Sequence, residues 1–226
     1  MATKTYLTGG VGAHHSDESF GDPYELPNER SYSETCAAIA SVMFSWRMLM
    51  ITGEARYADL IERTLYNGFL AGLSLDGRKY IYANPLQVRE GHLDRGNDRD
   101  YARKPWFGCA CCPPNVMRTL ASLEHYVAVS SDTVIKLHQY VPGLVAMAVR
   151  GGEASLRIET DYPWDGRVRV VVESTPATHW RLSLRIPHWA NRVTLSVNGE
   201  AAAAKPQDSW LTVDRTWTAS DELGRV

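Results

Sequence analysis

The stretch Glu34-Thr35-Cys36-Ala37-Ala38-Ile39-Ala40-Ser41-Val42-Met43-Phe44-Ser45-Trp46-Arg47-Met48-Leu49-Met50-Ile51-Thr52-Gly53 decides the fold. It is apolar almost throughout and too long for a strand, so it reads as a buried helix that stops at Thr52-Gly53. Working outward, Tyr57, Leu60, Ile61, Leu65 and Phe69 fall on one face of a second helix over about 55–71. Tyr80-Ile81-Tyr82-Ala83-Asn84-Pro85 reads as a short strand, and 87–105 as a charged loop. A third helix is expected over about 114–126, because Pro113 and Pro114 suit a first helical turn. Upstream, residues 1–33 are rich in Gly, Ser, Asp, Pro and His, and read as a long loop of the kind that often carries function.

After Tyr126 the period changes. Val134-Ile135-Lys136-Leu137, Val145 to Val149, Ser155 to Ile158, Val168 to Val172, Trp180 to Ile186, Val193 to Val197 and Trp210 to Val213 read as strands. Turn signals such as Pro142-Gly143, Gly151-Gly152 and Asn198-Gly199 separate them. Short strands at this spacing predict an antiparallel β-sandwich. The expected organisation is α+β: a helical domain over 1–128 and a β-sandwich over 129–226.

The chain has 226 residues, 44% hydrophobic and 22% charged, with a formal net charge of -2. That is globular composition without the basic footprint of a nucleic-acid binder. There is no unbroken run of eighteen apolar residues, so no membrane span is expected. The N-terminal residues do not read as a signal peptide, and a cytoplasmic location is expected. Four cysteines do not make a secreted disulfide framework, so free thiols are expected.

Three of those four thiols lie in Cys109-Ala110-Cys111-Cys112-Pro113-Pro114-Asn115, and the fourth follows a carboxylate in Glu34-Thr35-Cys36. Cys36, Cys111, Cys112 and Glu34 offer the four thiolate and carboxylate ligands that zinc accepts. All four sit near helix starts, whose partial positive charge favours thiolates. The spacing is not that of a zinc finger, and buried structural thiols are the alternative. A cysteine here is also a candidate nucleophile. With His14 or His15 as partner it would serve an acyl hydrolase. With a carboxylate such as Asp17, Glu18, Glu25 or Glu29 it would serve glycosyl transfer to water. Spacing does not separate these readings.

Seven short motifs go further. Leu7-Thr8-Gly9-Gly10-Val11-Gly12, Glu18-Ser19-Phe20, Tyr24-Glu25-Leu26-Pro27-Asn28, Tyr32-Ser33-Glu34-Thr35-Cys36-Ala37, Leu65-Tyr66-Asn67, Tyr82-Ala83-Asn84-Pro85-Leu86 and Trp106 to Asn115 occur in the order in which they stand in glycoside hydrolase family 127, which the chain closely resembles over about residues 5–140. The resemblance implies a retaining β-L-arabinofuranosidase that holds Zn2+ through Glu34, Cys36, Cys111 and Cys112. It implies Cys111 as nucleophile and Glu18 as acid/base, with Cys109 as a bystander and Tyr82 and His15 in contact with substrate. The implied partner is an arabinofuranoside-containing carbohydrate. The implied fold is the second half of an (α/α)6 barrel followed by the sandwich. A chain that begins in mid-barrel is expected to be truncated, to expose apolar surface and to associate as a homodimer. An inactive fragment keeping a structural zinc site is the alternative.

Overall fold

The computed structural model describes residues 2–89, 101–203 and 205–225, so residues 90–100 of the expected charged loop lie outside the described residues. The chain divides into two compact units, one of residues 1–53 and 57–122, the other of 54–56 and 123–226. The protein is α+β, with helices in the first unit and sheets in the second.

In the first unit, helix α1 spans Thr35–Thr52 and ends in a left-handed Gly53 whose N–H donates to the Leu49 carbonyl. By length and composition alone α1 is long and apolar enough to cross a membrane, although it contains no unbroken run of eighteen apolar residues. The core helix of a soluble protein can have the same length and composition. Its buried residues include Ala38, Ile39, Val42 and Leu49. Helix α2 spans Ala55–Arg63 and gives way to a π-helical segment, Thr64–Phe69, and a 3-10 turn, Leu70–Gly72, rather than continuing as one regular helix. Gly68 faces the backbone of Thr8 and Gly10, so the N-terminal loop packs directly on this widened turn. Helix α3 spans Cys112–Leu120, and a separate 3-10 turn, Leu123–Tyr126, follows.

Residues 80–85 form no named strand. Tyr80 bridges to Leu73 and Lys104, and Ala83 to Glu34. Thr35 fixes this segment to the start of α1, its N–H donating to the Tyr82 carbonyl at 3.0 Å and its hydroxyl to the Ile81 carbonyl at 2.8 Å. Tyr32, Ile39, Phe69, Tyr82, Phe107 and Val116 meet in one buried cluster that also contains Cys112.

Among the described residues the second unit holds ten strands: β1 Ala128–Ser131, β2 Val134–Leu137, β3 Gly143–Val149, β4 Gly152–Thr160, β5 Val168–Ser174, β6 His179–Arg185, β7 Leu195–Val197, β8 Glu200–Ala201, β9 Trp210–Thr216 and β10 Glu222–Arg225. They form a four-stranded sheet, β1-β2-β6-β9, and a six-stranded sheet, β3-β4-β5-β10-β7-β8. The β2–β6 pair is parallel, a departure from the all-antiparallel expectation. The chain leaves this sheet after β2, builds β3 to β5 elsewhere and returns in the same direction. Ala154, Leu156 and Ile158 on β4 and Val168, Val170 and Val172 on β5 are buried at alternate positions, as period-two patterning requires. Trp180 of β6 meets the Trp217 ring at a tilt, 5.5 Å between centroids, and the Trp217 Nε1–H donates to the Trp180 carbonyl at 2.9 Å.

Candidate metal centre and active site

Two helix starts build the site. Glu34 occupies the N-cap of α1 without using its side chain to cap, which leaves the carboxylate free to turn inward. Cys36 lies in the first turn of the same helix. Cys111 is the N-cap of α3, and Cys112, fully buried, is its first residue. Pro113 pre-shapes that turn and lacks an N–H that would compete there.

The ligand atoms of Glu34, Cys36, Cys111 and Cys112 all lie within 4.8 Å of one another. Cys36 Sγ is 3.5 Å from Cys112 Sγ, and Cys111 Sγ is 3.7 Å from Cys112 Sγ. Glu34 Oε1 is 3.5 Å from Cys111 Sγ and 3.6 Å from Cys112 Sγ. A tetrahedral zinc with ordinary Zn–S and Zn–O bonds demands edges of about 3.8 Å between sulfurs and about 3.6 Å from sulfur to oxygen. These four edges lie within about 0.3 Å of those values, so the group could hold a metal ion.

The electrostatics agree with a cation site. Hydrogen bonding from Cys112, outweighing burial, draws Cys36 below the usual thiol range, and the Asn115 side chain assists. Burial pushes Cys111 up to about 12, against the pull of the Tyr82 hydroxyl. Cys112 is raised, first by its hydrogen bond to Cys36 and then by burial. Thiols this close resist sharing negative charge, and a divalent cation among them reverses that preference.

Around the thiols lies a hydrogen-bonded chain. Cys111 Sγ is 3.2 Å from the Tyr82 hydroxyl. Tyr82 and Tyr32 are hydrogen-bonded through their phenols. The Tyr32 hydroxyl donates to Glu18 Oε1 at 2.9 Å. His15, half-buried, meets Tyr32 edge-on at 5.1 Å and Tyr101 at 6.1 Å. Cys111, Glu18 and Tyr82 are thus connected through Tyr32, with His15 against the same ring. Cys109 is exposed and lies outside the four-atom group. Beside them, His14 Nε2 pairs with Glu25 at 2.8 Å, and His14 Nδ1 is 3.2 Å from Ser19 Oγ. Glu25 raises His14 above the usual imidazole range.

Sequence reasoning singled out neither Tyr32 nor Asn115 for a role, although both lie in quoted motifs. The available signal was position: Tyr32 stands two residues before Glu34, and Asn115 one helical turn after Cys111.

Comparison with known proteins places this arrangement. Residues 1–125 match the β-L-arabinofuranosidase family 127 catalytic domain, and residues 134–224 match the middle domain of the same family. The architecture is thus a glycoside hydrolase catalytic domain followed by a middle domain. A non-reducing end β-L-arabinofuranosidase of Bifidobacterium longum subsp. longum is 39% identical over 224 residues, covering 93% of this chain and 33% of that protein. The crystal structure of a β-L-arabinofuranosidase from Geobacillus stearothermophilus T6 superposes with a TM-score of 0.92 at 38% identity, over 99% of this chain and 36% of that one. A second β-arabinofuranosidase structure gives 0.89 at 38% identity, over 99% of this chain and 36% of that one. The chain belongs to glycoside hydrolase family 127. It spans about a third of the length of these relatives.

Proposed function

We propose that this chain carries the nucleophile, the acid/base and the metal site of a zinc-dependent retaining glycosidase that releases β-L-arabinofuranose or a similar sugar from a carbohydrate. The observation that carries the reading is the Glu34-Cys36-Cys111-Cys112 group, whose spacing suits tetrahedral zinc. The same reading takes the helices of the first unit as part of an (α/α)6 barrel and the two sheets as faces of a sandwich.

Glu34, Cys36, Cys111 and Cys112 hold the ion, which supplies the positive charge that keeps thiols ionised at neutral pH. The Cys111 sulfur donates an electron pair to the anomeric carbon and forms a C–S bond. Glu18 gives its proton to the glycosidic oxygen, which departs with the electrons of the broken C–O bond. Glu18 then takes a proton from water. The water oxygen bonds to the anomeric carbon, and the C–S electrons return to Cys111. Two displacements restore the starting anomeric configuration. The Tyr82 hydroxyl steadies the sulfur through the 3.2 Å contact, and Tyr82 and His15 face the sugar.

The test is Cys111→Ser in the full polypeptide, assayed on an aryl β-L-arabinofuranoside with folding checked by circular dichroism. Turnover should fall by about a thousandfold or more, the scale on which a removed nucleophile acts. Undiminished turnover by a folded variant would sink the cysteine mechanism.

A further inference from the structure

Glu18 is held in an unusual way. Its φ is 56°, in the left-handed region that side chains other than glycine rarely adopt. The loop that carries it is closed on itself, with the N–H groups of Ala13 and His14 both donating to the Ser19 carbonyl, at 3.0 and 3.2 Å. A strained residue on a closed loop persists only where surrounding contacts fix it.

Tyr32 supplies those contacts. It is 1% exposed. Its backbone N–H donates to the Gly12 carbonyl at 3.1 Å, at the root of the Glu18 loop. Its carbonyl accepts from Asn84 N–H at 3.2 Å, on the segment that carries Tyr82. Its ring lies 6.3 Å from the Tyr82 ring and 5.1 Å from His15. Its hydroxyl donates to one carboxyl oxygen of Glu18, Oε1, at 2.9 Å.

Resting on the reading of Glu18 as the acid/base, we propose that Tyr32 is its positioning residue: by donating to Oε1, the buried phenol fixes the plane in which the carboxyl offers its proton. Tyr32 acts through its two neighbours. Glu18 moves the proton, and Tyr82 contacts the attacking sulfur. An acid/base held at one oxygen transfers its proton in one geometry, whereas a freely turning carboxyl spends most of its time in others.

The consequence is selective. Departure of a poor leaving group, such as an alkyl alcohol, requires the proton from Glu18. A 4-nitrophenolate departs with little help. The experiment therefore compares kcat/KM for an alkyl and a 4-nitrophenyl β-L-arabinofuranoside in the zinc-loaded full polypeptide. For Tyr32→Phe, kcat/KM on the alkyl substrate should fall by about ten- to a hundredfold, within the range general acid catalysis contributes, and by less than about threefold on the nitrophenyl substrate. Bound zinc per chain should match the parent. Equal losses on both substrates, or loss of zinc in step with activity, would overturn the role assigned to Tyr32. Glu18→Ala separates the two layers. If it shows a larger selective loss, the acid/base reading stands and Tyr32→Phe alone decides this inference. If it shows none, the acid/base reading fails and takes the inference with it. Should Tyr32→Phe not fold, 4-aminophenylalanine at position 32 keeps the ring and offers a weaker donor. An altered ratio between the two substrates then supports the role, and an unaltered ratio overturns it.

Discussion

Zinc binding to the Glu34-Cys36-Cys111-Cys112 group should release about two protons per ion or more near neutral pH. The perturbation is titration of the chelator-treated full polypeptide with zinc. Burial holds Cys111 up at about 12, and Cys112 is raised as well, so both enter the reaction as thiols between pH 6.5 and 8. Cys36 is drawn below the ordinary thiol range, so it gives up less than either of these two. Zinc takes thiolates, so both protons leave. The sign follows: binding strengthens as pH rises, by about a hundredfold per unit, or about 2.7 kcal/mol. The assay is calorimetry in two buffers of different ionisation enthalpy, from which the proton count is read directly. Cys112→Ala should lower the count by about one, while Cys109→Ser should leave it unchanged, since Cys109 stands outside the group. Release of less than one proton per ion, or affinity independent of pH, would refute the thiolate ligand set.

Two further outcomes concern stability, one in each unit. His138, 1% exposed, is held down to about 3 by burial, with Lys136 and Arg185 adding repulsion. The unfolded chain therefore takes up this proton first, and the contribution is intact above pH 6.5 and lost as pH falls toward 3. At pH 5 the loss is about 2 kcal/mol. Urea unfolding of the parent and of His138→Gln should show the parent losing that much more on going from pH 7 to pH 5, and parallel losses would contradict the assignment. Gly9 has φ +86°, and a Cβ there would sit 2.8 Å from the Thr64 Cα, a backbone atom that cannot step aside. Gly9→Ala should cost about 2–4 kcal/mol in chemical denaturation, and an unchanged midpoint would show that the loop does not pack on the π-helical turn as described.

The site was legible in residue type more than in geometry. Three thiols and a carboxylate near two helix starts are visible as candidate ligands, because residue type alone marks them as metal donors. Tyr32 could not be ranked above the other ten tyrosines from spacing, since its role depends on where the Glu18 loop folds back. The fold divides in the same way. Continuous apolarity marks α1, and alternation marks β4 and β5. Strand β10 carries only Leu223 as a buried apolar residue, and it is held by backbone pairing between β5 and β7. The Tyr80–Pro85 segment has the composition of a strand but is tied by isolated bridges to three different parts of its unit, so no ladder forms. The second helix loses its regular turn at Thr64, where Thr64 and Gly68 meet the N-terminal loop, a tertiary effect that periodicity does not carry.

The ligands come from two stretches of chain far apart in sequence: Cys36 and Cys112 are separated by 76 positions. An ion held by both acts on the polypeptide as a removable crosslink. By the loop-closure relation used for disulfides, tying that span restricts the unfolded chain by about 4–5 kcal/mol. The first turns of α1 and α3 would then be fastened together by the ion that the proposed reaction uses. Stripping the metal should loosen that junction as well as stop turnover. Recovery after chelation would then proceed at the pace of refolding rather than of metal uptake.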